Sequence, residues 1–336
     1  MKARLVAASL LLTCSVLAQN FTNANVTTVD ARGGVANAIG NGNGWYAWEV
    51  PIPDDVTICC WGNGNGNCCG GCELDGNKGW SINTSKDDIG GGGLMVIAMR
   101  MENNTIEKVR MLRAACPING RGYSIRKLTN VDPASSIAFF ESHARDTGGY
   151  AHGVSGAIAQ HDHPNAIAAL ERLAGSGMPG KVREDALFWL GNRGGERGFR
   201  FLRDFLHSNE STSLRKKAVF ALTQSESENA LSELINVARR DSSKEIRREA
   251  IFWLGQKAGS KAAAELRRFV DEDPDEDVRE HAVFAISQLP RDRAVPMLID
   301  LVRNHKSASV RKKAMFWLAQ TGDDRALEVI EEILMK

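Results

Sequence analysis

A block of eleven residues returns every 32 residues through the C-terminal half of the chain, and this recurrence constrains the fold most. VREDALFWLGN starts at Val182, LRKKAVFALTQ at Leu214, IRREAIFWLGQ at Ile246, VREHAVFAISQ at Val278 and VRKKAMFWLAQ at Val310, with no insertion between copies. One step back lies Tyr150, where YAHGVSGAIAQ keeps a degenerate version. The spacing therefore predicts six units, the first atypical and the last shorter, as terminal units of arrays commonly are.

Each unit reads as two helices. The first runs through the recurring block, with apolar residues such as Val278, Ala282 and Ile286 at spacings of four and eight, one stripe of a helix. A short polar turn follows. The second helix keeps a small residue at one point (Gly198, Ala230, Ala262, Ala294, Ala326) and an aliphatic one four residues on (Leu202, Leu234, Leu266, Leu298, Ile330). A small residue one turn from a large one lets helices approach while the gap is still filled. No single pair can bury all its apolar surface, so neighbouring pairs must stack into an all-α solenoid.

Two columns of the repeat invite a functional question. Arg183, Arg215, Arg247, Arg279 and Arg311 each follow the first apolar residue of a block. They read as a ladder of hydrogen bonds between units, or as a row for anions. After the block's Phe the units alternate Trp189, Ala221, Trp253, Ala285 and Trp317. Each Trp either fills space beside a neighbouring Ala or contributes to an aromatic stripe that grips a peptide.

These blocks resemble HEAT repeats, in particular the short HEAT-like units of phycobilisome lyases, over residues 150–336. An export signal, a Cys-containing segment and ALFWLGQ-type units together also look like secreted bacterial HEAT-repeat proteins. The resemblance implies a surface for binding other proteins. Two enzyme families share such repeats. Deoxyhypusine hydroxylase-like proteins hold two irons through His-Glu dipeptides, but the seven histidines here are followed by Ala, Gly, Asp, Pro, Ser, Ala and Lys. Glu280-His281 is the reverse order. Phycobilin lyases act inside the cell, which an exported chain would not.

Export is read from residues 1–18. Lys2 and Arg4 precede a short apolar run from Leu5 to Leu12, and Val16-Leu17-Ala18 suits cleavage after Ala18. The run is too short to span a bilayer, so no membrane insertion is expected once the signal is gone. Removal of Cys14 leaves six cysteines: Cys59, Cys60, Cys68, Cys69, Cys72 and Cys116. In an oxidising compartment they read as disulfides of open connectivity. A metal knuckle built on Cys69 and Cys72 is the rival, since zinc sites use CxxC pairs, and thiol chemistry is a third possibility.

Residues 19–131 read as a small β-rich domain with Gly/Asn-rich loops held by those cysteines. Strands are expected at Trp45–Val50, Val56–Cys60, Leu94–Met101, Thr105–Leu112 and Tyr123–Leu128, with a hairpin turn at Glu102-Asn103-Asn104. The glycine runs NAIGNGNGW, WGNGNGNCCGG and IGGGG read as loops; no Lys-Ser/Thr follows them, so they are not phosphate loops. Asp132-Pro133 opens a linking helix, assigned to 132–149.

Chemistry is otherwise sparse. His161 and His163, with His152 nearby, are the remaining metal candidates, although the repeat register puts them on a solvated turn. No catalytic set is identifiable, no cofactor is called for, and the chain reads as a non-enzyme. With 42 basic against 41 acidic side chains, nucleic acid is disfavoured as a partner. The function expected is an exported scaffold for a protein or peptide, held on an inner face formed mainly by second helices. Arg203, Glu233, Arg240, Glu265, Arg268, Arg303 and Glu328 are the candidate contacts there. The alternative is a metal- or thiol-dependent protein whose chemistry sits in the Cys-rich segment.

Overall fold

The structure, a computed structural model, describes residues 21–60, 69, 72–75, 80–83, 93–147, 151–257 and 262–335. The leader, Cys14 and Cys68 lie outside the described residues. The chain divides into two compact units, one of residues 1–104 with 108–132 and the other of 133–336 with 105–107.

The N-terminal unit is built on a five-stranded mixed sheet. The strands among the described residues are β1 (Phe21–Thr22), β2 (Asn25–Asp30), β3 (Gly44–Pro51), β4 (Thr57–Cys60), β5 (Trp80–Asn83), β6 (Leu94–Glu102), β7 (Thr105–Arg113), β8 (Ile118–Asn119) and β9 (Ser124–Thr129), with β1-β8 and β4-β5 forming two small separate sheets. The main sheet runs β2-β9-β3-β6-β7, with β9 parallel to both β2 and β3, and β6 antiparallel to β3. Both β3 and β6 are buried along most of their length, which explains their nearly continuous apolar sequences. Asn103 (φ 51°) and Asn104 (φ 61°) sit between β6 and β7, the left-handed pair that a tight two-residue hairpin requires.

One apolar cluster in this unit gathers Trp45, Ala47, Val96, Ala98, Leu112 and Ile125 with Cys60, Cys72 and Cys116. Disulfides join Cys60 to Cys72 and Cys69 to Cys116, and Cys59 is also disulfide-bonded. The Gly/Asn-rich stretch around residue 40 is not all loop. Val35–Ile39 forms the short helix α1, whose Val35 and Ile39 are buried.

From residue 133 onward the regular elements among the described residues are all helices: α2 (Pro133–His143), α3 (Ala151–Ala159), α4 (Asn165–Leu173), α5 (Gly180–Arg193), α6 (Gly195–Leu206), α7 (Thr212–Leu222), α8 (Ala230–Arg240), α9 (Lys244–Lys257), α10 (Ala263–Glu272), α11 (Glu276–Ser287), α12 (Arg291–Asn304), α13 (Ala308–Ala319) and α14 (Asp324–Leu334). Helix α2 packs on α3 and α4. The remaining twelve form six stacked pairs, a solenoid. The stripe predicted for first helices is the buried one: Val278, Ala282 and Ile286 are fully enclosed, as are Ile246, Ala250 and Leu254. Polar N-caps mark several starts, with Ser211, Asp275, Ser307 and Asp323 accepting from backbone N–H groups of α7, α11, α13 and α14.

The direction of bending differs from the expectation. Consecutive first helices (α3, α5, α7, α9, α11, α13) pack against one another along their length, whereas consecutive second helices barely meet. An array whose first helices lie closer together bends toward them. The first helices, not the second, therefore line the inner face. The cause is visible at Gly191, where a Cβ would lie 2.1 Å from the Ala221 carbonyl oxygen, and at Gly255, where it would lie 2.8 Å from that of Ala285. Glycine lets α5 approach α7, and α9 approach α11. At the junctions between these, Thr223 and Ser287 take the place of the glycine in the repeat, and α7 with α9 and α11 with α13 pack less closely.

Candidate functional site

The arginine column is spent on the solenoid itself. Arg183 Nε donates to the Ala174 carbonyl (2.9 Å), Arg215 Nε to Leu206 (2.8 Å) and Arg247 Nη1 to Asp241 (3.0 Å). Arg279 Nη1 donates to Asp273 (2.7 Å) and Arg311 Nη1 to His305 (2.8 Å). Each acceptor ends the second helix of the preceding pair, where carbonyls lack helical partners and the helix dipole is negative. Arg183 also pairs with Glu210 and Arg215 with Asp241, while Arg247 grips Asp273 at 2.9 and 3.1 Å. At Arg279 this second contact is lost, because His305 stands in the corresponding place. These guanidinium groups are tied to their own chain and are not a row awaiting anions.

The inner face carries a different row. Phe188 stacks on Phe220 (centroids 6.1 Å, 16°) and Phe252 on Phe284 (6.2 Å, 11°). Between these stacks, Phe220 meets Trp253 at 4.7 Å and Phe284 meets Trp317 at 4.8 Å. His152 extends the run by stacking on Trp189 (5.5 Å), and Phe316, 54% exposed, ends it. The Trp column is therefore part of a continuous aromatic row. Trp189 is buried, Trp253 and Trp317 are half-buried, and the Phe one residue earlier keeps a ring edge in solvent from Phe188 to Phe284. Sequence reading fixed on Trp and missed this Phe column, although Phe is invariant across the five blocks.

Ion pairs between units flank the rings: Lys217 with Glu184 (3.5 Å), Lys244 with Asp277 (2.9 Å) and Lys313 with Glu280 (3.7 Å). A cavity of about 530 Å³ opens among α9, α11 and α13, lined by Arg248, Asp277, Glu280, His281, Phe284, Lys313 and Trp317. Burial, then the nearby Arg248 and Lys313 cations, pushes the His281 pKa down to about 4.

The seven second-helix candidates lie on the splayed side. Glu233 accepts from His207 (2.8 Å), and Glu265 is held by Arg239 and Arg268. Arg303 pairs with Glu332 (2.8 Å) and Arg203 with its neighbour Asp204 (2.9 Å). Arg240 and Glu328 are exposed. Arg240 lines a cavity with His207, Glu210, Arg215 and Asp241.

The metal candidates are also relocated. His161 is not on a solvated turn: it is 3% exposed, its Nδ1 lies 2.7 Å from the Ala157 carbonyl and its Nε2 3.0 Å from Ser136 Oγ. Burial pushes its pKa down to about 4. His163 Nδ1 accepts from the Asn165 N–H (3.1 Å) instead. His152 faces Asp185 (3.3 Å). Cys69 and Cys72 belong to different disulfides, which leaves neither as a thiolate. Among the described residues no three His, Cys, Asp or Glu side chains come together as a metal-binding set, and no helix is long and apolar enough to cross a membrane.

Comparison with known proteins bears on the repeats. A HEAT-repeat family model matches residues 231–303 and 270–336. No curated protein sequence matches the chain. Among solved structures, human deoxyhypusine hydroxylase aligns at 17% identity and a TM-score of 0.30, over 58% of this chain and 84% of its own. The phycocyanin lyase CpcE–CpcF complex from a Nostoc species aligns at 18% and 0.29, over 60% and 81%. Lipovitellin aligns at 17% and 0.39, over 56% of this chain and 23% of its own.

Proposed function

Starting from a chain whose residues 231–336 match a HEAT-repeat model, we propose that it is an exported scaffold that binds a protein or peptide along its first helices. One observation carries the reading: an unbroken row of half-exposed aromatic rings, from Phe188 to Phe316, on the inner side of the bend. Aromatic rings give large contact area for little conformational entropy, and rigid helices present them at fixed spacing. Interleaved charge pairs of both signs suit a protein surface better than a polyanion. HEAT repeats are typically non-catalytic, and among the described residues the candidate ligands are buried or already bonded.

Export is part of the same proposal. Disulfide-bonded cysteines in the N-terminal unit are compatible with an oxidising compartment, and the leader supplies the route. N-terminal sequencing of the secreted product is expected to start at Gln19.

The binding surface is tested by selecting a displayed random-peptide library on the full chain, then mapping the selected peptides with a photo-crosslinking residue. Crosslinks from position 220 or 284, and none from position 268 on α10, support the reading. Selected peptides that crosslink only from 268, or only to the N-terminal unit, refute it.

A further inference from the structure

The geometry points to a partner of defined chemistry: an extended acidic segment, one carboxylate against Arg248 and an apolar side chain beside it on Phe284 and Trp317. This inference rests on the reading of the first-helix face as the binding surface and adds what that surface selects.

Arg248 is the residue next to the ladder arginine Arg247, but its side chain leaves on the inner face. It is half-buried, its Nε is shielded from solvent, and its guanidinium has no hydrogen-bond or ion-pair partner among the described residues. A buried guanidinium N–H without an acceptor is costly, since it has lost water and gained nothing. The carboxylates nearby do not satisfy it. Glu249 accepts from Trp253 Nε1 (2.8 Å), Glu280 pairs with Lys313 and Asp277 with Lys244. One unit earlier in the same column, Lys216 likewise has no ion-pair partner among the described residues, and two units later neither does Lys312. The column reads Glu184, Lys216, Arg248, Glu280 and Lys312; its two glutamates are paired with Lys217 and Lys313, which leaves Lys216, Arg248 and Lys312 as its cations without an ion pair among the described residues.

The surroundings favour a peptide over a free anion. Arg248 opens into the cavity of about 530 Å³ whose apolar part is Phe284 and Trp317, room for a side chain as well as a carboxylate. The aromatic row continues past the cavity, so an extended chain crossing the helices keeps meeting rings. Neighbouring helices stand about 8–10 Å apart, close to one turn of an extended polyproline II segment, three residues at roughly 3.1 Å each, which returns every third side chain to the same face. Carboxylates three residues apart would thus reach Lys216 and Arg248 together. Glu280 and Asp277 on the cavity wall disfavour a phosphate backbone, which cannot avoid them.

Three labelled probes test this on the full chain by fluorescence anisotropy: a dodecapeptide repeating Asp-Phe-Ser, its counterpart with Lys for Asp, and a twelve-nucleotide oligothymidylate. The acidic peptide is expected to bind best, more weakly at high salt, and about tenfold more weakly to Arg248→Gln. Lys216→Gln should weaken it less, and Arg200→Gln, on α6, should leave it unchanged. Melting curves of each variant check that folding is intact. Equal binding of the Lys peptide or the oligothymidylate overturns the inference, as does an Arg248→Gln variant that folds normally and binds the acidic peptide undiminished. Failure of every probe overturns it too. The scaffold reading then still stands or falls on the peptide selection and crosslinking described above.

Discussion

Replacing Gly191 by alanine asks whether close approach of first helices holds the array in its bend. The added Cβ would sit 2.1 Å from the Ala221 carbonyl oxygen and 2.7 Å from its carbon, both backbone atoms of α7. Backbone on both sides leaves no flexible side chain to move aside. The helices must separate by about 1 Å, which forfeits much of the dispersion energy along their contact. Overpacking of this kind costs about 1–3 kcal/mol, and a rigid obstacle belongs at the upper end. Alanine's better helix propensity returns about 1 kcal/mol. The net loss is therefore about 2 kcal/mol, or a melting temperature lower by about 4–8 °C for a unit of this size. Gly255→Ala, with its Cβ 2.8 Å from the Ala285 oxygen, should lose less. Gly180→Ala, at the start of α5 with nothing within 4 Å, should lose nothing and gain up to about 1 kcal/mol. Urea and thermal unfolding of the three variants give the ranking. If Gly191→Ala melts at or above the parent, or loses less than Gly255→Ala, the account of the bend is wrong.

Further outcomes are expected for the arginines, for His161 and for the cysteines. Arg247→Ala should cost about 3–5 kcal/mol, because it strands the buried Asp273 carboxylate, whereas Arg247→Met with Asp273→Leu should recover most of it in urea unfolding. Arg279→Ala, which loses only bonds to the Asp273 and Pro274 carbonyls, should cost about 1 kcal/mol. His161 stays neutral in the folded chain down to about pH 4, while the unfolded chain protonates near 6.5, so stability falls as pH drops through that window. The full effect is about 3 kcal/mol, and His161→Gln should flatten the pH dependence of unfolding between 4 and 6.5 by a measurable part of that. Thiol titration of the unreduced protein should find none of Cys59, Cys60, Cys69, Cys72 and Cys116 free. Reduction should lower the stability of the N-terminal unit by about 3–4 kcal/mol per bridge, the 47-residue loop closed by Cys69–Cys116 counting for more than the 12-residue one closed by Cys60–Cys72.

Some of the N-terminal unit was legible because its signals are local. Two asparagines between apolar runs specify a tight hairpin wherever they occur, and they form one here between β6 and β7. Helix α1 was missed because five residues between glycines give no periodicity to detect. Strand β2 was missed because it is exposed almost throughout, which removes the apolar alternation that marks a strand. The inner-face Arg248 was passed over for its neighbour Arg247, since two adjacent arginines look alike until their partners are known.

The amino-acid sequence on its own determined the stacked helix pairs. A strict 32-residue period and a stripe at positions 0, 4 and 8 report which side of each helix must be buried, and that is a property of one helix at a time. Which set of helices faces inward depends on the distances between units. Those distances are fixed by a meeting of residues 30 apart, Gly191 with Ala221 and Gly255 with Ala285. Burial of His161 likewise needs Ser136, 25 residues away on α2, whose hydroxyl donates to the ring's Nε2. Only the folded array brings such residues together, so only tertiary structure could decide the bend, the surface it offers and the histidine it hides.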